Sequence, residues 1–134
     1  MIQFEIENEL ITQEELEEFE QQLDGLKLPE DYKAHMLKYN GGITIEDYIC
    51  GDNENIKFMY FLPIKYGSDT MENSLIARED VLPINDIYIG AVRGGELCMS
   101  LGENNGSIYV FYSDGERIDL ASSFTEFING LSLM

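Results

Sequence analysis

Apolar and acidic positions alternate with helical spacing near the start of the chain. Thr12-Gln13-Glu14-Glu15 is a capping-box pattern, in which a hydroxyl and a carboxylate each satisfy an orphaned backbone N–H. Leu16, Phe19, Leu23 and Leu26 follow on one face, the intervening positions are acidic or amide, and Gly25 is expected to end this helix. Leu28-Pro29-Glu30-Asp31-Tyr32 predicts a second helix start, with Pro29 in the first turn and two acids at the positive helix end. Tyr32, Met36 and Tyr39 share a face, and Asn40-Gly41-Gly42 supplies the left-handed stop.

Beyond Gly42 the period shortens towards two, predicting strands at Ile43 to Ile45, Ile56 to Leu62, Ile87 to Val92, Glu96 to Leu101, Ser107 to Tyr112 and Arg117 to Leu120. Leu97, Met99 and Leu101 alternate with Glu96, Cys98 and Ser100, as suits a sheet with one face covered. Gly94-Gly95, Asn104-Asn105-Gly106 and Asp114-Gly115 are hairpin-turn segments, so an antiparallel meander is expected. A short helix is expected over Thr70 to Arg78. Ser123-Phe124-Thr125-Glu126 caps a last helix whose apolar face is Phe124, Phe127, Ile128 and Leu131. The expected class is α+β, an antiparallel meander flanked by an N-terminal helical pair and a C-terminal helix. With 134 residues, no internal repeat and no Pro/Ser-rich linker, one domain spanning 1–134 is expected.

Charge narrows the functional classes. The net charge is −18, and eight Lys and Arg residues cannot supply the phosphate contacts of a nucleic-acid or anionic-membrane binder. Half of that charge lies in the first 24 residues, where Glu5, Glu7, Glu9, Glu14, Glu15, Glu17, Glu18, Glu20 and Asp24 stand without a Lys or Arg. This cluster reads either as a solvated face that maintains solubility or as a field that steers a basic partner. No apolar run approaches the roughly 20 residues of a membrane span. The N-terminus lacks the basic start and apolar stretch of a secretory signal, so the expected location is the cytoplasm.

Catalytic and metal motifs are wanting. Cys50 and Cys98 have no zinc-type spacing and read as buried free thiols. His35, the single histidine, has no nucleophile in a motif context and reads as a surface or boundary residue. Neither Gly41-Gly42 nor Gly94-Gly95 matches a phosphate-binding loop. Asp52-Asn53-Glu54 lacks the ligand spacing of a calcium loop and reads as solvated. Carboxylate pairs abound, but abundance alone assigns no acid/base role, so no enzyme activity, cofactor or metal is expected.

Leu28-Pro29-Glu30-Asp31-Tyr32, continued through Leu37-Lys38-Tyr39-Asn40-Gly41-Gly42, resembles the signature helix of the SUKH superfamily, also called the Smi/Knr-like domain. Leu82-Pro83-Ile84, Ile89-Gly90, Gly94-Gly95-Glu96 and Gly106-Ser107-Ile108-Tyr109 follow in that family's order, and Leu120 to Ile128 resembles its last helix. The chain departs from many members in having no Trp. The resemblance implies the same α+β fold and carries over no catalytic residues. Many bacterial members are immunity proteins that bind and block a cognate toxin domain of polymorphic or contact-dependent systems, some of them nucleases. Fungal relatives are regulatory scaffolds. The expected partner is therefore a protein, a basic toxin domain in the first reading, bound by a monomer or weak homodimer. Glu46, Asp47, Tyr48, Asp52 and Glu54, in the loop after the first predicted strand, together with Asp69 and Glu72, are the candidate partner-binding residues.

Overall fold

The computed structural model describes residues 2–51, 53–77, 82–83, 85–102 and 105–134. Helix α1 (Gln13–Gln21) begins as its capping box dictates: Thr12 Oγ1 accepts the Glu15 N–H at 3.1 Å, and Glu15 Oε1 accepts the Thr12 N–H at 3.0 Å. It ends at Gln21, short of Gly25, so Leu23 and Leu26 belong to the turn that follows it. Glu17, Glu18 and Glu20 crowd the negative end of the helix, whose last turn carries no basic residue of its own. The chain there tightens into three-residue turns, with Gln22 N–H bonded to the Phe19 carbonyl at 3.0 Å and Leu23 N–H to the Glu20 carbonyl at 3.1 Å.

Helix α2 (Glu30–Tyr39) starts one residue later than expected, with Pro29 as the extended cap outside the first turn. Asp31 accepts from the Thr125 N–H at 2.9 Å and the Thr125 hydroxyl at 2.7 Å, joining α2 to α4 (Phe124–Asn129). Ser123 Oγ caps α4 by accepting the Glu126 N–H at 3.0 Å, while the Glu126 carboxylate turns to the N–H and hydroxyl of Ser122. Leu131, expected on the α4 face, instead starts a strand, because the helix stops at Asn129.

A two-stranded ladder pairs β1 (Phe4–Glu5) with β2 (Ile43–Thr44). The remaining strands, β3 (Tyr48–Cys50), β4 (Asn53–Phe61), β5 (Asp86–Val92), β6 (Gly95–Ser100), β7 (Ile108–Phe111), β8 (Arg117–Ala121) and β9 (Leu131–Leu133), form one antiparallel sheet. Their order is β8-β7-β6-β5-β4-β3-β9, a meander closed at one edge by the C-terminal strand. The meander and its flanking helices match the α+β expectation. Strands β1, β3 and β9 were not predicted. The third helix, α3 (Met71–Ala77), falls where one was expected, and Arg78 lies outside the described residues.

One face of the sheet packs Phe58, Phe61, Ile87, Leu97, Met99 and Val110 against Leu16, Phe19, Tyr32, Met36, Phe124 and Phe127 of the helices. Each such side chain contributes about 1.5–3 kcal/mol on burial. The opposite face carries a thinner layer of Leu82, Cys98 and Tyr109, with Tyr88 and Phe111 packed beside it. Both cysteines are buried and free.

Candidate functional site

The sheet departs from simple alternation at β4. Phe58 pairs with Val92 and Tyr60 with Ala91, so Met59 is a surplus residue, a β-bulge. The bulge keeps Phe58 and Phe61 on the core face and leaves Met59 and Tyr60 exposed. Tyr60, Ala91, Glu96 and Phe111 then lie in one cross-strand row on the opposite face. Close approach of β5 beneath the bulge requires glycine at 90, since a Cβ there would stand 2.3 Å from the Tyr60 carbonyl oxygen.

Beyond Phe61 the chain loops over this row and is fastened from below. Asn40 takes the left-handed conformation (φ 43°) at the end of α2 and is fully buried. Its Oδ1 accepts the Ile64 N–H at 2.9 Å, and its Nδ2 donates to the carbonyls of Lys65 at 2.8 Å and Glu9 at 2.9 Å. Gly41 is needed beside it, because a Cβ there would meet the Phe61 carbonyl at 2.8 Å. The Tyr66 hydroxyl also donates to Glu15 of α1.

Between the fastened loop, α3 and the sheet lies a recess of about 430 Å³, lined by Tyr60, Leu62, Asp69, Thr70, Asn73, Ser74, Tyr88 and Glu96. A second groove of about 330 Å³ shares Tyr60, Leu62 and Asp69 with it and extends to Glu7 and Asn8. No described Lys or Arg lines either one. Glu96 is an exposed residue, yet partial desolvation in the recess and the nearby Asp69 charge raise its pKa. Desolvation, then the charges of Glu96, Asp69 and Glu7, also raise the Tyr60 hydroxyl. A larger groove of about 540 Å³ beside β8 is less telling, because its Arg117 and Asp119 already pair at 3.0 Å.

The residues singled out from the sequence fall into two groups. Glu46 and Asp47 are exposed before β3, and Asp47 Oδ2 lies 3.8 Å from Lys57 Nζ. Tyr48 is turned inward at 8% exposure, its ring largely withheld from a partner, and still borders a small groove of about 200 Å³ with Glu46, Ile45 and Gln3. Glu54 is exposed at the start of β4, and Asp52 lies outside the described residues. Asp69 lines the recess, and Glu72 pairs with Lys65 at 2.8 Å. Seven strand positions separate Glu54 from Phe61, about 23 Å at roughly 3.3 Å per residue, so Glu54 sits far from the recess, whereas pairing of Ile49 with Lys57 places Tyr48 and Asp47 beside the middle of β4. Tyr60 and Tyr88 escaped the sequence reading because they sit in apolar runs whose facing is set by register shifts in β4 and β5, and Glu96 because its neighbours across the sheet are set by strand pairing.

His35 packs its ring against Phe4, Tyr39, Phe61 and Phe124. Its Nε2 lies 2.8 Å from the Gly41 carbonyl, which can only accept, so Nε2 carries the proton. Burial pushes its pKa down to about 4, holding the ring neutral. Among the described residues, no three His, Cys, Asp or Glu side chains are grouped to hold a metal, and no helix is long and apolar enough to cross a membrane.

No curated protein matches the sequence. A family profile does, the SMI1 / KNR4 family (SUKH-1), over residues 10–130. That span runs from the approach to α1 through the end of α4 and takes in both the Asn40 stop and the walls of the recess. With helices and meander in the order this family's signature segments imply, the chain belongs to the SMI1/KNR4 (SUKH-1) family.

Proposed function

We propose that this chain is an immunity protein, which binds the cognate toxin domain of a polymorphic or contact-dependent system and neutralises it by occlusion, without catalysing a reaction. The family match over residues 10–130 carries this reading, since immunity proteins are a main bacterial class of the superfamily. The net charge of −18 supports a basic partner, such as a nuclease domain whose cleft normally receives phosphates. Long-range attraction would set the association rate, while a few desolvated side chains would hold the complex. Met59 and Tyr60, 42% and 36% exposed beside acidic loops, are suited to that second role.

The test is co-expression with a toxin domain encoded beside the gene, scored by growth rescue and co-purification. Rescue with a stable complex supports immunity. Absence of both, together with capture of an endogenous regulatory complex, replaces it with the scaffold reading, which the same family match also supports.

A further inference from the structure

We propose that the recess under the 62–70 loop is an arginine receptor, in which one exposed arginine of a basic protein partner lays its guanidinium on Tyr60 between the carboxylates of Asp69 and Glu96. This rests on the protein-binding reading above and names the chemistry by which a partner is held.

Charge and shape together point to this recess: unpaired acids are common on a chain of net charge −18, and Asp69 and Glu96 are set apart by lining one concavity. Glu20, Glu72 and Asp47 each have a lysine within 4.0 Å. Asp69 and Glu96 have neither a cation nor a hydrogen-bond donor among the described residues, although they share one concavity. Two carboxylates held together in a partly desolvated recess repel each other, and a cation placed between them reverses the sign of that interaction.

The supporting shell is preorganised. Glu96 stands on β6 in register with Ala91 and Phe111, Tyr60 is set outward by the Met59 bulge, and the loop bearing Asp69 is fastened through Asn40. Leu62 adds an apolar wall for a methylene stem, and Thr70, Asn73 and Ser74 rim the opening with polar groups. A guanidinium suits this lining better than an ammonium, because it is flat, carries five donors and stacks on aromatic faces while pairing with carboxylates. The neighbouring groove along Pro63 and Gly67 shares Tyr60, Leu62 and Asp69 with the recess, and so offers room beside it for the polypeptide that carries the arginine.

The test is an NMR titration of the intact ¹⁵N-labelled chain at low ionic strength with N-acetyl-L-argininamide. The uncharged N-acetyl-L-citrullinamide, N-acetyl-L-lysinamide and calcium serve as comparison arms. The expected result is saturable shifts at Tyr60, Asp69, Thr70 and Glu96 with a Kd on the order of 1–10 mM. The lysine analogue should bind several-fold more weakly and the citrulline analogue not at all. The Asp69→Asn/Glu96→Gln variant, whose substitutions are isosteric at exposed positions, should lose affinity by tenfold or more while keeping its other resonances. Absent or unsaturable shifts, an equal response to citrullinamide, shifts centred on the glutamates of α1, retention in the variant, or tighter occupancy by calcium would each overturn the proposal. No toxin enters this titration, so its failure leaves the co-expression result standing, and a failed rescue with a positive titration removes only the immunity reading.

Discussion

The Asn40 side chain accepts the Ile64 backbone N–H at 2.9 Å across 24 residues of sequence, and so ties the end of the second helix to the loop that walls the recess. The same side chain donates to the carbonyls of Glu9 and Lys65, so one buried amide organises three segments.

Replacing Asn40 by Gly keeps the left-handed backbone accessible but strips all three bonds from a buried site. A loss of about 3 kcal/mol or more in chemical denaturation is expected. Asn40→Ala should cost roughly 1–2 kcal/mol more, because Ala resists the left-handed conformation. Equal losses in the two variants would show that the backbone conformation contributes nothing.

Gly90→Ala forces a methyl group towards the Tyr60 carbonyl, a contact relieved only by moving β4. Destabilisation of about 2–3 kcal/mol is expected, with amide shift changes centred on Tyr60 and Phe61. A variant as stable as the parent would show that the two strands separate at this point without penalty.

His35 makes the fold sensitive to acid. Burial, reinforced by the Lys38 charge and opposed by the bond to Gly41, lowers its pKa to about 4, whereas in the unfolded chain it returns to about 6.5. As the pH falls through this window the unfolded state takes up a proton that the folded state refuses, so stability declines from pH 6.5 and levels off near 4. The total lost is about 3 kcal/mol. The variant His35→Phe should show a shallower slope over that range whatever its absolute stability, and an unchanged slope would assign the acid sensitivity to carboxylates.

Both thiols should be silent in the native protein. Burial pushes the Cys50 thiol up to about 12 and, helped by the charges of Glu96 and Asp86, also raises Cys98. Treatment with a thiol reagent at pH 8 should label neither until denaturant is added. Labelling of one in native buffer would reveal local opening around it.

Much of the fold is written in local chemistry. The Thr12 and Ser123 caps, the Asn40 stop and the glycine-marked hairpins act over a few residues, so each is legible as a pattern. Strands β1, β3 and β9 are two or three residues long, too short for an alternation to show. Of these, β1 and β9 form against strands distant in sequence, and β3 lies between the adjacent β4 and the distant β9. Leu131 illustrates the difficulty: helical spacing from Phe127 and Ile128 suggests a helix, and pairing with Cys50 makes it a strand. The recess was legible in part. Asp69 stood out as an acid in a polar loop, whereas Tyr60 and Glu96 become neighbours only through pairing of both strands with Ala91.

Met59 also sets the phase of its strand. In a strictly alternating β4, Phe58 facing inward would drive Tyr60 into the interior and push Phe61 out into water. The surplus residue absorbs that half-period, so deleting Met59 should leave Tyr60 outside and Phe61 inside. Deleting Tyr60 should likewise spare the fold, but a thioether would then occupy the aromatic position. Shortening this strand by one residue can therefore rewrite what the surface recognises while the interior stays as it was.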